Sequence, residues 1–218
     1  MVLKLYGIAM SHATKRVGMV LYEKRIPFEL ITVDMRNMAH KKPEYLAKQP
    51  FGSVPYLDDD GYIVYESRAI CGYLEAKYPD RGPRLAPSTD DLKKYGAYQQ
   101  ALNIEAFNFD PAANGLFKEK VIKKLRGTGD PDPNVVADFM ATLNNKLDAY
   151  DAILSKQKYL AGDELTLADL FHLPYASVLP AVGCNYLETK PNVARWFKDI
   201  SSRESWLAVQ GGVKGILE

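Results

Sequence analysis

Ten residues divide this 218-residue chain into two parts with different hydrophobic periods. Residues 79–88, Pro-Asp-Arg-Gly-Pro-Arg-Leu-Ala-Pro-Ser, hold three prolines and a glycine, which interrupt helix and strand alike and mark a linker. Upstream, strand and helix signals alternate. Val2, Leu3 and Leu5 run into Gly7, and Ser11 precedes Val17, Val20 and Leu21 at helical spacing before the charged stop Glu23-Lys24-Arg25. A second strand is expected over 28–33, giving a strand–helix–strand unit with parallel strands and a right-handed crossover. Val54-Pro55-Tyr56-Leu57, Asp58-Asp59-Asp60-Gly61 and Tyr62-Ile63-Val64-Tyr65 then predict a hairpin, since Asp-Gly between apolar runs is a strong turn signal. Glu66-Ser67-Arg68 opens a helix with Ile70, Tyr73 and Leu74 on one face.

Residues 1–78 therefore predict βαβ-ββα, the order of a thioredoxin-like α/β domain. Beyond the linker the strand signals vanish. Helical patterns run over 90–120, 134–154, 166–179 and 191–203, with a Gly- and Pro-rich break at 127–133, so residues 89–218 predict an all-helical domain.

Charge and cysteine exclude whole classes of function. Residues 1–80 carry 11 basic and 10 acidic residues and the remainder 17 of each, for a net charge of +1. That balance argues against a nucleic-acid binder working through a basic face. Cys71 and Cys184 are isolated, without CxxC, zinc spacing or a disulfide framework. His12, His40 and His172 are scattered, so no metal site is expected. The start, MVLKLYG, lacks a signal peptide's apolar core, and no run approaches the ~20 apolar residues that span a bilayer. A cytoplasmic protein with reduced thiols and no membrane partner is expected.

Four patches could carry chemistry. Ser11 stands where the first strand gives way to a helix. It is either an ordinary N-cap or a hydroxyl that donates to an anion at the positive helix end. Pro55, ahead of a hairpin strand, is by base rate a trans edge residue; in the thioredoxin-like topology this proline is cis and turns the preceding backbone toward a peptide-like ligand. Glu66-Ser67 reads equally as an acidic first turn with a cap or as a site for an amino acid's α-end, with Glu66 taking the ammonium and Ser67 the carboxylate. His40-Lys41-Lys42 is a solvated basic run or a carboxylate site. A ligand with two carboxylates, an amine, a peptide backbone and an anionic atom near Ser11 would occupy all four, and glutathione has those parts.

The chain resembles the glutathione transferases, specifically their phi class. The matching stretches are Ser11 to Val17, His40 to Leu46, Gln49 to Pro55 and Tyr65 to Ile70, followed by Phe109-Asp110-Pro111, Tyr159 to Gly162, Asp169 and Trp196 to Ile200. The resemblance covers essentially the whole chain. It implies that Ser11 donates to the glutathione sulfur and favours the thiolate, which attacks hydrophobic electrophiles, with peroxide reduction as a side activity. It assigns His40 and Lys41 to the glycyl carboxylate, Val54 with a cis Pro55 to the cysteinyl backbone, and Ser53, Glu66 and Ser67 to the rest of glutathione. Phe51 resembles the aromatic key of a homodimer. Glutathione is then a co-substrate, and no further cofactor is implied. Met10, Met35, Phe107, Leu116 and Phe117 are apolar candidates for the acceptor pocket, and packing explains each of them as well.

Three residues depart from the class pattern. Ser53 replaces the usual glutamine, Ala9 a frequent proline and His12 a frequent threonine. The alternative function is a ligand-binding relative that carries apolar molecules without turnover. An interaction module of the translation-factor type would be expected beside further domains, and the chain ends at Glu218. An isomerase of the zeta class would need a Ser-Ser-Cys start, and thiol-transferase chemistry a cysteine at Ser11. Tyr6 is the rival thiol-activating hydroxyl. Thr166-x-x-Asp169 predicts a capping box with Leu165 and Leu170 as staple partners, and His172 a satisfied core histidine.

Overall fold

A computed structural model describes residues 2–217. The chain forms two units, one of residues up to Arg84 together with those from Arg203 onward, the other Leu85–Ser202.

The first unit begins β1 (Leu3–Gly7), α1 (His12–Glu23) and β2 (Phe28–Thr32). A 3-10 turn at Ala39–Lys41, α2 (Pro43–Leu46), β3 (Tyr56–Asp59), β4 (Tyr62–Tyr65) and α3 (Ser67–Lys77) follow. The sheet order is β2-β1-β3-β4, with β1 parallel to β2 and antiparallel to β3. The expected βαβ-ββα order is therefore present. The hairpin begins later than its sequence suggests: Val54 and Pro55 precede the ladder, and the turn is Asp60–Gly61, whose φ values of 54° and 90° suit a two-residue hairpin turn. Leu3 and Leu5 are buried while Lys4 between them is exposed. On the other face Tyr6 stacks on Tyr56 at 4.4 Å between ring centroids and joins a cluster with Val33 and Tyr45. Alternation along one strand thus builds two different layers.

In the second unit, α4 (Leu92–Ile104), α5 (Asp110–Phe117) and α6 (Lys123–Leu125) are joined by π-helical turns at Glu105–Phe109 and Lys118–Ile122. The expected helix over 90–120 is thus longer and twice interrupted. Pro111 sits in the first turn of α5, just past the first interruption, where its missing N–H costs no ladder bond. Next comes α7 (Pro133–Leu154), capped by Asp132. The expected helix over 166–179 splits into α8 (Leu167–Leu170) and α9 (Leu173–Ala176), because Pro174 cannot donate and starts a new turn. The unit ends with α10 (Tyr186–Thr189) and α11 (Pro191–Ser201).

Its core holds a closed polar cluster. Asp169 accepts from the N–H groups of Leu160 and Thr166, the Thr166 hydroxyl and Trp196 Nε1, at 2.9 to 3.0 Å. Burial pushes its pKa up while these four bonds pull it back. His172 Nδ1 lies 2.8 Å from the Ala168 carbonyl, which can only accept, and Nε2 lies 2.9 Å from the Tyr150 hydroxyl. Both ring nitrogens of that histidine are thus satisfied in the core.

The sequence pattern runs residues 89–218 together as one helical domain, whereas α12 (Glu204–Gln210) and the residues after it group with the first compact unit. Arg203 and Ser205 hold Glu23 of α1, and Phe28 and Ile216 exchange backbone bonds at 2.7 and 2.9 Å. Periodicity identifies a helix but not the element it packs against.

Candidate active site

Past Gly7 the chain makes a turn closed by the Ser11 N–H donating to the Ile8 carbonyl at 2.9 Å. A Cβ at Gly7 would lie 2.7 Å from Thr14 Oγ1, so only glycine lets α1 close onto the strand end. Ser11, half-buried with φ −63° and ψ 131°, is the N-cap of α1. Its Oγ accepts from the Thr14 N–H at a long 3.4 Å, and its proton has no acceptor among the described residues. The cap and the anion site are therefore compatible: one lone pair serves the helix while the O–H remains to donate. Next to it, burial and the charges of Lys15 and Arg16 push His12 down to about 4, so this imidazole is neutral at pH 7.

Strand register gathers the other patches at the same end of the sheet. Tyr6, beside the end of β1, pairs with Tyr56, the first residue of β3, and Tyr56 pairs with Tyr65, the last of β4. The turn to Ser11, the Val54-Pro55 peptide and the Glu66-Ser67 helix start thus leave the sheet at one edge. Val54-Pro55 is cis, and neither the N–H nor the C=O of Val54 pairs with a described residue. Glu66 is exposed, with φ 69° and ψ 111°, a costly conformation for a residue with a Cβ and one that concentrates at ligand sites. Buried Ser67 accepts from Arg16 Nη1 at 3.0 Å, which ties the first turns of α1 to the start of α3.

The basic patch joins through Gly52. With φ +57°, a Cβ there would lie 2.7 Å from both the His40 carbonyl and Lys41 Nζ. Lys41 is exposed and donates to the Phe51 carbonyl at 3.2 Å, while His40 is buried with Nδ1 unpartnered. Ser53 is held from three sides: Gln49 Nε2 donates to its Oγ at 2.6 Å, Gln49 Oε1 accepts its N–H, and Tyr45 donates to its carbonyl at 2.7 Å. Burial pushes that tyrosine up to about 12, so it remains a donor. The Phe51 ring is 69% exposed, its edge toward Tyr65.

Of the acceptor candidates, Met10 is exposed and Met35 packs on the Val33–Tyr45–Tyr56 cluster. Phe107 is exposed on a π turn and Phe117 packs edge-on against Tyr175. Leu116 is corrected: it is fully buried in the helical core and lines no open site. Sequence reasoning missed Arg16 and Gln49 as supports. Both lie inside the motifs quoted above. Among the described residues no group of three metal-ligating side chains occurs, and no helix is long and apolar enough to cross a membrane.

Two family models match, "Glutathione S-transferase, N-terminal domain" over residues 5–83 and "Glutathione S-transferase, C-terminal domain" over 121–204. A glutathione S-transferase of Hypomyces subiculosus, hmp2, is 51% identical over 95% of this chain and 97% of its own. Glutathione transferase F7 of Populus trichocarpa superposes with a TM-score of 0.92 at 38% identity, covering 98% of this chain and 100% of that one. Glutathione S-transferase I of maize, solved with an atrazine–glutathione conjugate, has a TM-score of 0.87 at 32% identity over 97% of each chain.

Proposed function

Because this chain belongs to the phi class of the glutathione S-transferase family and conjugates glutathione, we propose that Ser11 ionises the glutathione thiol and that the thiolate attacks hydrophobic electrophiles. The observation that carries this is the unclaimed Ser11 proton at the start of a 12-residue helix. A free thiol of pKa ~8.5 is only about 3% ionised at pH 7. Lowering it by about two units takes ~2.7 kcal/mol. A hydroxyl bond to a charged acceptor supplies ~1.5–3 kcal/mol and the helix dipole up to ~1 more. Those two terms suffice. The thiolate then forms a C–S bond as the acceptor's leaving group departs with the bonding pair.

The remaining groups orient the tripeptide. His40 and Lys41 receive the glycyl carboxylate, and the open Val54 N–H and C=O pair with the cysteinyl backbone. The Ser67 hydroxyl and the α3 N–H groups receive the γ-glutamyl carboxylate, and Glu66 its ammonium. Ser53 contributes less than a longer amide would, since Gln49 holds its hydroxyl. Met10, exposed beside Ser11, meets the acceptor; the maize relative's atrazine conjugate supports an apolar one. Exposed Phe51 inserts into a second copy to form a homodimer, which sedimentation of Phe51→Ala as a monomer would support. The two buried free cysteines fit a reducing cytoplasm.

Conjugation to an aryl halide tests the assignment. Ser11→Ala is expected to lower kcat/KM about 10–100-fold, the loss of one charge-assisted bond, with glutathione affinity nearly kept. If Tyr6→Phe abolishes turnover and Ser11→Ala does not, the hydroxyl has been misassigned.

A further inference from the structure

The residues after α11 grip the first unit at points spread along their length. Lys15 Nζ donates to the carbonyl of Gln210, the last residue of α12, at 2.8 Å. The Val213 N–H donates to the Ala9 carbonyl at 3.1 Å, and the Tyr22 hydroxyl to the Lys214 carbonyl at 3.2 Å. Ile216 then pairs with Phe28 on β2.

The Val213 contact bears on the chemistry. Ala9 and Met10 are the inner residues of the turn that the Ser11 N–H closes. Gly212, at φ +124°, brings the tail so near that a Cβ there would lie 3.3 Å from Met10 Sδ and 3.6 Å from Ala9 Cβ. Val213 is buried against α1, where a Cβ on Gly18 would lie 2.8 Å from both its Cγ atoms. Ser11 is otherwise weakly held, with its one side-chain bond among the described residues at 3.4 Å. Hydrogen bonds weaken steeply with angle, and displacements of half an ångström matter at a reacting centre.

We infer that Gly212 and Val213 are positioning residues for glutathione activation: they fix the Ala9–Met10 corner, and through it the direction in which Ser11 presents its O–H to the sulfur. The inference rests on the reading of Ser11 above. It gives the tail, far from Ser11 in sequence, a place in setting the sulfur's acidity.

Gly18→Ala tests it without touching the site. Alanine favours the interior of α1, yet its methyl displaces Val213. The ultraviolet absorbance of the bound thiolate, titrated against pH, reads the thiol pKa directly. Gly18→Ala is expected to raise that pKa by about half to one unit, which is about 3–10-fold less thiolate below it. kcat should fall in step, with glutathione KM within about two-fold. Gly18→Ala/Val213→Ala should restore the pKa, because it removes both crowding Cγ atoms and leaves Val213 Cβ at 3.4 Å. A folded Gly18→Ala protein with the parental thiol pKa overturns the inference. Should that variant not fold, Val213→Gly, which loosens the tail instead of wedging it, decides on the same readout and in the same direction. Ser11→Ala measured in parallel separates the two readings. An unchanged thiol pKa there sinks the Ser11 assignment, whereas a raised one beside unchanged tail variants sinks only the positioning role.

Discussion

Two helices of this protein start with the same device, a hydroxyl at the N-cap, and the two caps do opposite things. Thr166 donates to Asp169 Oδ2 at 3.0 Å, inside a buried cluster where that carboxylate accepts four hydrogen bonds. Ser11 accepts one long bond from Thr14 and keeps its proton. The difference lies three residues on. At α8 that position is a carboxylate, which closes the box; at α1 it is Thr14, whose Oγ1 is itself buried without a partner among the described residues. A closed cap holds a fold together, and an open one is available to a ligand.

The largest expected effect comes from opening the closed cap. Asp169→Ala strands buried donors from three other residues and should cost about 3–5 kcal/mol, read by urea unfolding as a lower midpoint with an unchanged slope. A loss under about 1 kcal/mol would mean that water replaces the carboxylate and that the cluster is not structural. Closing the open cap is the converse. Thr14→Asp should draw the Ser11 proton to a carboxylate and place a negative charge beside the nascent thiolate, lowering conjugation at pH 7 by about 100-fold. Undiminished turnover in a folded variant would break the comparison.

The smallest effect is in pH dependence, where the caps differ in sign. The His12 pKa is lowered to about 4 in the fold from about 6.5 unfolded, so the unfolded chain binds more protons in that window. Its contribution is full above about pH 6.5 and is lost as pH falls toward about 4. Asp169 is raised instead, so its contribution weakens as pH rises through the ordinary carboxylate range. Urea midpoints across pH 4–7 should therefore flatten in His12→Gln. An identical slope in that variant would mean that the histidine is not held neutral.

Much of this was legible beforehand because it is local. The order of elements, the helix starts at Ser11 and Ser67, the hairpin glycine and the Thr166–Asp169 box each follow from residues a few positions apart. Several features were not legible. The helix over 166–179 divides at Pro174, which the periodicity of its apolar residues concealed. The grouping of the tail with the first unit is invisible to periodicity, because the apolar residues of α12 do not say which surface they cover. The burial of Leu116 is equally hidden, since an apolar residue on a helix gives no sign of whether its face opens or closes. Motif spacing places Gln49 and Arg16 but does not show their contacts to Ser53 and Ser67.

The sequence by itself determined the family, the two-part architecture and the residue types able to hold glutathione, since period, turn chemistry and motif spacing are properties of neighbouring residues. Tertiary structure decided which of those residues come to lie near one another. Strand register brings Ser11, Val54 and Glu66 to one end of the sheet, Gly52 admits His40 and Lys41 against its own backbone, and the returning tail closes against the Ala9–Met10 turn. Those arrangements depend on contacts between residues far apart in the chain, and whether a polar group meets a partner or stays open is settled only when such segments pack. The free proton of Ser11 is that kind of fact: its residue type can be read from the chain, but its availability belongs to the fold.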